Sequence, residues 1–113
     1  MRILVTGGAG FIGLAVVRRL VERGDRVVAI VRDPDRATAL TDLGVETRAG
    51  DLSRTAAIVD AMRGTDAALH IAGMYRVGIP ASMRPAMHDA NVGATHRMLD
   101  AFTTAGLDRL VYV

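Results

Sequence analysis

Residues 6–13 read TGGAGFIG, and this glycine-rich stretch decides the fold. It follows the apolar run Ile3–Val5, which is typical of a buried strand, and leads into an amphipathic pattern over Phe11–Arg23. The apolar residues expected along one side of that helix include Ile12, Val16 and Leu20. Two overlapping spacings, G-x-G-x-x-G and G-x-x-G-x-x-G, fit the glycines Gly7, Gly8, Gly10 and Gly13. The stretch is therefore predicted to join a strand to a helix.

Glycine-rich turns between a strand and a helix can bind the phosphates of dinucleotides. One glycine permits the tight turn, a second lets the backbone approach a pyrophosphate, and a third lets the helix pack closely on the sheet. The residues predicted on this ground to contact a dinucleotide are Gly7, Gly10, Phe11, Ile12 and Gly13. The alternatives are a plain glycine turn, or a flavin or S-adenosylmethionine site on a related fold.

Short apolar runs alternate with helical periodicity along the chain, which predicts βαβ units. The predicted strands are Ile3–Val5, Val27–Val31, Val45–Arg48, Ala67–Ile71 and Leu110–Val113. The predicted helices cover residues 11–23, residues 34–43 after an Asp33 cap, the segment from a Ser53 cap to Gly64, and residues 84–105 before Gly106. Right-handed crossovers then give an α/β fold, a Rossmann-type doubly wound parallel sheet with strand order 3-2-1-4-5.

The composition fits one small globular domain, residues 1–113, since half of the residues are hydrophobic. No cysteine is present, and the three histidines lack ligand-like spacing, so we predict no disulfide and no metal site. All 14 basic residues are scattered arginines and the net charge is only +2, which argues against a nucleic-acid partner. We find neither a signal peptide nor a membrane span, and a cytoplasmic location is expected.

Five short segments occur in a characteristic order: TGGAGFIG at 6–13, GDL at 50–52, HIAG at 70–73, NVGAT at 91–95 and RLVYV at 109–113. Together they resemble the extended short-chain dehydrogenase/reductase family, which includes NAD-dependent epimerases/dehydratases and dihydroflavonol-reductase-like enzymes. The resemblance implies that Asp51 meets adenine in a turn with Leu52. It also implies that Ala72 and Gly73 line the cofactor, and that Asn91 supports the active site.

The same resemblance implies a function for the chain. It would be the NAD(P)-binding portion of an NAD(P)-dependent epimerase, dehydratase or reductase. The substrate would be a nucleotide sugar or a small carbonyl or alcohol, and a full-length homodimer is compatible with the family.

The end of the second predicted strand bears on the choice of coenzyme. An acidic residue there typically bonds the ribose 2′-OH of NAD. Val31 takes the acid's place and Arg32 follows it, so an arginine could grip the 2′-phosphate of NADP. NADP is therefore favoured over NAD. In the other interpretation Arg32 is solvated, Asp33 is only a helix cap or reaches the ribose, and NAD remains open.

The sequence allows more than one role for several polar residues. Asn91 falls on an apolar stripe of the last predicted helix, whose other members are Met87, Ala94, Met98 and Phe102. A buried amide needs partners, so Asn91 either bonds neighbouring backbone or organises the helix beside an active site, and these roles are compatible. Asp51 could contact adenine or only cap its turn. His70 is interpreted as a packing residue, and Tyr75 lies in a loop that could approach substrate.

The family's acid–base pair, Tyr-x-x-x-Lys, has no counterpart here. The chain contains no lysine, so neither Tyr75 nor Tyr112 can begin the motif. A lysine lowers the tyrosine pKa from about 10 toward neutrality, so that the phenolate can exchange a proton. The 113 residues are therefore predicted to turn over no substrate alone.

The sequence stops at Val113 inside an apolar strand. We interpret it as an incomplete enzyme, with a sheet incomplete at the C-terminus and the catalytic and substrate-binding part absent. The alternative is a non-catalytic NAD(P)-binding protein with a redox-sensing or regulatory role.

Overall fold

A five-stranded parallel sheet forms the centre of the fold, in a computed structural model that describes all residues from Met1 to Val113. The strands are β1 (Arg2–Thr6), β2 (Arg26–Val31), β3 (Glu46–Ala49), β4 (Ala67–His70) and β5 (Leu110–Tyr112). They are ordered β3-β2-β1-β4-β5, and every neighbouring pair runs parallel. This order confirms the predicted Rossmann-type sheet, and each strand bound lies within one residue of the predicted one.

Helices cover both faces of the sheet. They are α1 (Phe11–Glu22), α2 (Thr38–Thr41), α3 (Thr55–Met62), α4 (Arg84–His88) and α5 (Ala94–Ala105). Successive residues of a strand point to opposite faces, so β1 contributes to two cores. The core beneath α1 and α2 includes Ile3, Val5, Val17 and Leu40. The core beneath α3 and α5 includes Leu4, Ile58, Met62 and Met98. None of the helices combines the length and apolar character needed to cross a membrane.

The buried face of α1 differs from the predicted one. Gly13, Val17 and Leu20 are buried, whereas Ile12 is 56% exposed. A Cβ on Gly13 would overlap the Gly7 carbonyl oxygen and lie 2.7 Å from its carbon, so only glycine lets the helix approach this closely. Because Gly13 must face the sheet, the adjacent Ile12 turns outward. Placing Ile12 on the buried side was wrong.

The predicted helix after β2 begins at Asp33 but does not continue as one helix. Asp33 does cap its segment, since its Oδ1 accepts the Asp35 N–H at 3.1 Å, but the helix predicted over 34–43 is broken. A 3-10 turn covers Pro34–Arg36, and α2 begins only after Ala37, whose φ and ψ are −93° and 39°. Ala37 is also buried in the α1-side core.

Ser53 does not cap α3, contrary to prediction. The helix begins at Thr55 and has no side-chain cap. The Ser53 N–H instead donates to Asp51 Oδ1 at 2.9 Å, and the Arg54 N–H donates to the Asp51 carbonyl at 3.1 Å. The chain therefore makes an Asp51-centred turn after β3 before α3 can start.

The long helix predicted over 84–105 is also interrupted. It consists of α4, a π-helical turn over Asp89–Gly93, and α5. Gly106 ends it with φ 69°, as predicted. A π turn inserts one residue and often marks a functional site.

Candidate functional site

The loops that follow four neighbouring strands surround one groove of about 850 Å³. Parallel strands all present their carboxyl ends at the same edge, where open α/β sheets bind ligands. The predicted contact residues that border this groove are Gly7, Gly10, Arg32, Asp51, Leu52, Ala72 and Gly73. Phe11, Ile12 and Gly13 do not border it. The sequence thus located the groove, but three of its chosen residues lie outside the lining.

Three glycines of the loop differ in what surrounds them. Gly7 has φ +71°, and a Cβ there would lie 2.6 Å from the Ala72 nitrogen. Gly13 packs α1 against the Gly7 carbonyl. A Cβ on Gly10 would meet only the Gly7 oxygen, at 3.3 Å, and otherwise open space. Gly7 and Gly13 are therefore needed by the fold, whereas Gly10 leaves room beside the groove.

Backbone N–H groups at the N-terminus of α1, next to the open space at Gly10, have no hydrogen-bond acceptor. The hydrogen bonds of the helix begin at Leu14, whose N–H donates to the Gly10 carbonyl at 2.8 Å. The backbone N–H groups of Phe11, Ile12 and Gly13 precede it and have no helical acceptor, and the first turn holds no acidic residue. The side chain of Phe11 is 98% exposed, so this residue can serve an anion only through its backbone.

His70 is buried, as its interpretation as a packing residue requires, and it also belongs to a hydrogen-bond chain. The hydroxyl oxygen of Thr6 accepts the N–H groups of Ile71 and Ala72, each at 3.2 Å. Its own proton is then left to donate to His70 Nδ1 at 2.7 Å, so Nε2 carries the ring proton. His70 Nε2–H donates to Thr95 Oγ1 at 3.1 Å. Thr6 and Thr95 were not identified from sequence.

This chain of bonds fixes the backbone after β4. Thr95 Oγ1–H donates onward to the Asn91 carbonyl at 2.6 Å, so the chain runs from β1 through β4 to the last helix. Burial lowers the pKa of His70, which favours the neutral ring that these bonds require.

We expect folding stability to fall as the pH drops from about 7.5 to about 5.5, because the unfolded chain protonates His70 more readily than the folded chain does. Stability from a lowered histidine pKa is present above the ordinary value of 6.5 and is lost below it. Melting temperatures across this range should fall less steeply in His70→Gln. The exposed His96 is the matched control, and His96→Gln should keep the wild-type slope. Parallel slopes for wild type and His70→Gln would refute this role.

Asn91 clamps the loop that follows β4. Its Oδ1 accepts the Met74 N–H at 2.6 Å, and its Nδ2–H donates to the Met74 carbonyl at 2.8 Å. A Cβ on Gly73 would lie 3.3 Å from Asn91 Oδ1, so the loop passes close to the amide. The predicted bonding to backbone is therefore confirmed, and it holds one wall of the groove.

Charged side chains on the β2 side of the groove have groups without a partner in the protein. Arg32 is exposed and makes no salt bridge. Arg36 also borders the groove, whereas Tyr75 does not and is exposed. Asp51 caps its own turn, and this use of Oδ1 leaves Oδ2 free. Unpaired N–H donors at the N-terminus of α1 thus follow Gly10 of the groove lining, and an unpaired guanidinium borders the groove after β2. No cluster of three or more histidine, aspartate or glutamate side chains is placed to hold a metal ion.

Comparison with known proteins gives a consistent result. Residues 3–113 match the family model described as the NAD dependent epimerase/dehydratase family. A 2-alkyl-3-oxoalkanoate reductase of Stenotrophomonas maltophilia is 40% identical over 99% of this chain and 32% of its own length. A UDP-glucose 4-epimerase of Streptomyces lividans is 35% identical over 96% of this chain and 34% of its own length.

Solved structures agree with the sequence relatives. A UDP-glucose-4-epimerase from Stenotrophomonas maltophila, with bound NAD and formylated UDP-arabinopyranose, superposes with a TM-score of 0.88 at 27% identity, over 99% of this chain and 36% of that one. A short-chain dehydrogenase/reductase superfamily protein from Agrobacterium tumefaciens with bound NAD gives a TM-score of 0.81 at 35% identity, over 99% and 32%. The chain spans about a third of the length of these relatives.

Proposed function

The chain belongs to the NAD dependent epimerase/dehydratase family, and we propose that its groove binds the adenosine and pyrophosphate parts of a nicotinamide dinucleotide. The observation that carries the proposal is the convergence of the glycine loop with the ends of β2, β3 and β4 around one groove. Solved relatives with bound NAD share this fold at 27% and 35% identity.

The residues of the groove suit different parts of such a coenzyme. The turn at Gly7–Gly10 and the free N–H groups of α1 suit the pyrophosphate. Arg32 and the turn of Asp51 and Leu52 lie on the β2 and β3 side, which suits the adenosine. Ala72 and Gly73 border the opposite side, next to β4. A bound nicotinamide coenzyme would supply hydride transfer, and this chain's residues hold and orient it.

The activity of a longer protein that contains this chain is part of the same proposal. It would be an NAD(P)-dependent epimerase, dehydratase or reductase acting on a nucleotide sugar or a small carbonyl or alcohol. Residues 1–113 alone would bind coenzyme weakly and turn over no substrate, because they contain no Tyr-x-x-x-Lys pair. The family resemblance also supports a cytoplasmic location and a homodimer for the longer protein.

NADP is the coenzyme that we propose for this chain. Arg32 follows β2 directly, borders the groove and has no carboxylate partner, so its guanidinium is free for a 2′-phosphate. Charge-assisted hydrogen bonds of this kind contribute about 1.5–3 kcal/mol each.

Arg32→Ala should weaken NADPH binding by about 10- to 100-fold and change NADH binding by less than about twofold, because only NADPH carries the 2′-phosphate. Titration of the protein with each coenzyme, followed by nicotinamide fluorescence, measures both dissociation constants. Arg26→Ala is a matched control, since Arg26 is an exposed arginine at the other end of the same strand. An equal loss for both coenzymes, or no loss, would overturn the NADP assignment. A folded wild-type protein that binds neither coenzyme would overturn the proposed function.

A further inference from the structure

Arg97 of α5 borders the groove and joins two other residues of its lining, Leu52 and Asp89. Its Nε–H donates to the Leu52 carbonyl at 2.5 Å, and its two terminal nitrogens donate to the two carboxylate oxygens of Asp89 at 3.1 and 3.0 Å. A bidentate pair fixes the plane of a guanidinium, so the third bond has a fixed direction. The side chain is only 22% exposed, which limits competition from water. Leu52 is therefore tied to the last helix through a rigid bridge.

The local sequence leaves room for this bridge. Asp89 and Gly93 are the first and last residues of the π-helical turn. A Cβ on Gly93 would overlap Asp89 Oδ1 and lie 3.1 Å from a terminal nitrogen of Arg97. Hydrogen bonding from Arg97 also lowers the pKa of Asp89, so the carboxylate is ionised near neutral pH. A Cβ at position 93 would therefore displace the Asp89 carboxylate from this ion pair.

The segment that receives the third bond needs an anchor. Asp51, Ser53 and Arg54 are exposed, and the bonds of the turn to itself run only from Ser53 and Arg54 to Asp51. Leu52 alone packs partly against the α3-side core. The hydrogen bond from Arg97 to the Leu52 carbonyl is the polar contact that joins the turn to α5.

We propose that Arg97 is a positioning residue for the adenosine end of the coenzyme, acting by holding the Asp51–Leu52 turn in its binding position. The inference rests on the proposed function, because the turn is taken to contact adenosine. Arg97 acts through geometry rather than through charge, since its positive charge is already matched by Asp89. A lysine would keep the charge, but a single ammonium lacks the planar fork that makes the three bonds together.

Arg97→Met and Arg97→Lys should both weaken binding of NADPH and of ADP-ribose, each by about tenfold. ADP-ribose lacks both the nicotinamide and the 2′-phosphate, so an equal loss for both ligands locates the defect in the adenosine, pyrophosphate and ribose that they share. Arg18→Met is the matched control, because Arg18 is an exposed helical arginine outside the groove. Calorimetric titration measures the dissociation constants. Asp89→Asn, which keeps the shape but removes the charge, carries the test if an Arg97 variant does not fold.

A second readout needs no ligand. Amide hydrogen exchange at Ser53 and Arg54 should be faster in Arg97→Met and Arg97→Lys than in wild type and in Arg18→Met, because the turn loses its tether. Wild-type exchange and affinity within twofold in both Arg97 variants would overturn the inference while leaving the proposed function intact. Full affinity in Arg97→Lys would overturn it too, since charge would then suffice. A folded wild type that binds neither ligand would overturn the proposed function, and the inference with it.

Discussion

Gly13→Ala should lower the free energy of unfolding by about 3–5 kcal/mol, a large share of the 5–15 kcal/mol typical of a domain. The added Cβ would overlap the Gly7 carbonyl oxygen and lie 2.9 Å from Gly8 Cα. Both neighbours are backbone atoms of the turn that leaves β1, so neither can move like the end of a flexible side chain. The helix must separate from the sheet, which would open the core around Val17.

Denaturant unfolding measures this loss, and the same loop provides the control. A Cβ on Gly10 would meet only one atom, at 3.3 Å, so Gly10→Ala should change the free energy of unfolding by less than about 1 kcal/mol. Equal unfolding midpoints for Gly13→Ala and wild type would show that the packing of α1 against Gly7 is not what requires glycine at position 13.

Gly10→Val should raise the dissociation constant of the coenzyme by on the order of 100-fold or more, while the protein stays folded. Gly10 has φ −75° and ψ 175°, an extended conformation that valine adopts readily, so little backbone strain arises. The branched side chain would fill the space beside the groove where a pyrophosphate approaches the loop. Calorimetric titration with NADPH checks the loss, and an unchanged melting temperature shows that the fold is kept. Wild-type affinity in this variant would mean that the phosphates bind elsewhere.

The strand order was predictable because four of the five strands are short, mainly apolar runs, and because short βαβ connections restrict the topology; β3, with the sequence ETRA, is the exception. The helices were less predictable. Ile12 was placed on the buried side of α1 because it is apolar, but the close approach of Gly13 decides the rotation of that helix. The φ and ψ of Ala37 leave the helical region, and the π turn at Asp89–Gly93 inserts one residue; hydrophobic periodicity registers neither feature.

Some residues of the candidate site were also predictable from sequence, and others were not. The glycine spacing predicted Gly7, the end of β2 predicted Arg32 and the family resemblance predicted Asp51, and all three border the groove. Arg97 was not found, because its partner Leu52 lies 45 residues away and belongs to another element. The Thr6–His70 bond joins residues 64 apart and was equally hidden. Hydrogen bonds between residues far apart in the sequence therefore hold loops that border the groove, and a local sequence pattern does not reveal them.

The central claim is that the groove at the carboxyl ends of β1 to β4 holds a nicotinamide dinucleotide. Titration of the isotope-labelled protein with NADPH, observed by amide chemical shifts, tests it most directly. If the groove holds the coenzyme, saturable shifts should cluster at Gly7–Gly13, Arg32, Asp51–Leu52 and Ala72–Gly73, and they should disappear in Gly10→Val. A folded wild type without saturable shifts, or with shifts confined to residues outside this groove, would contradict it.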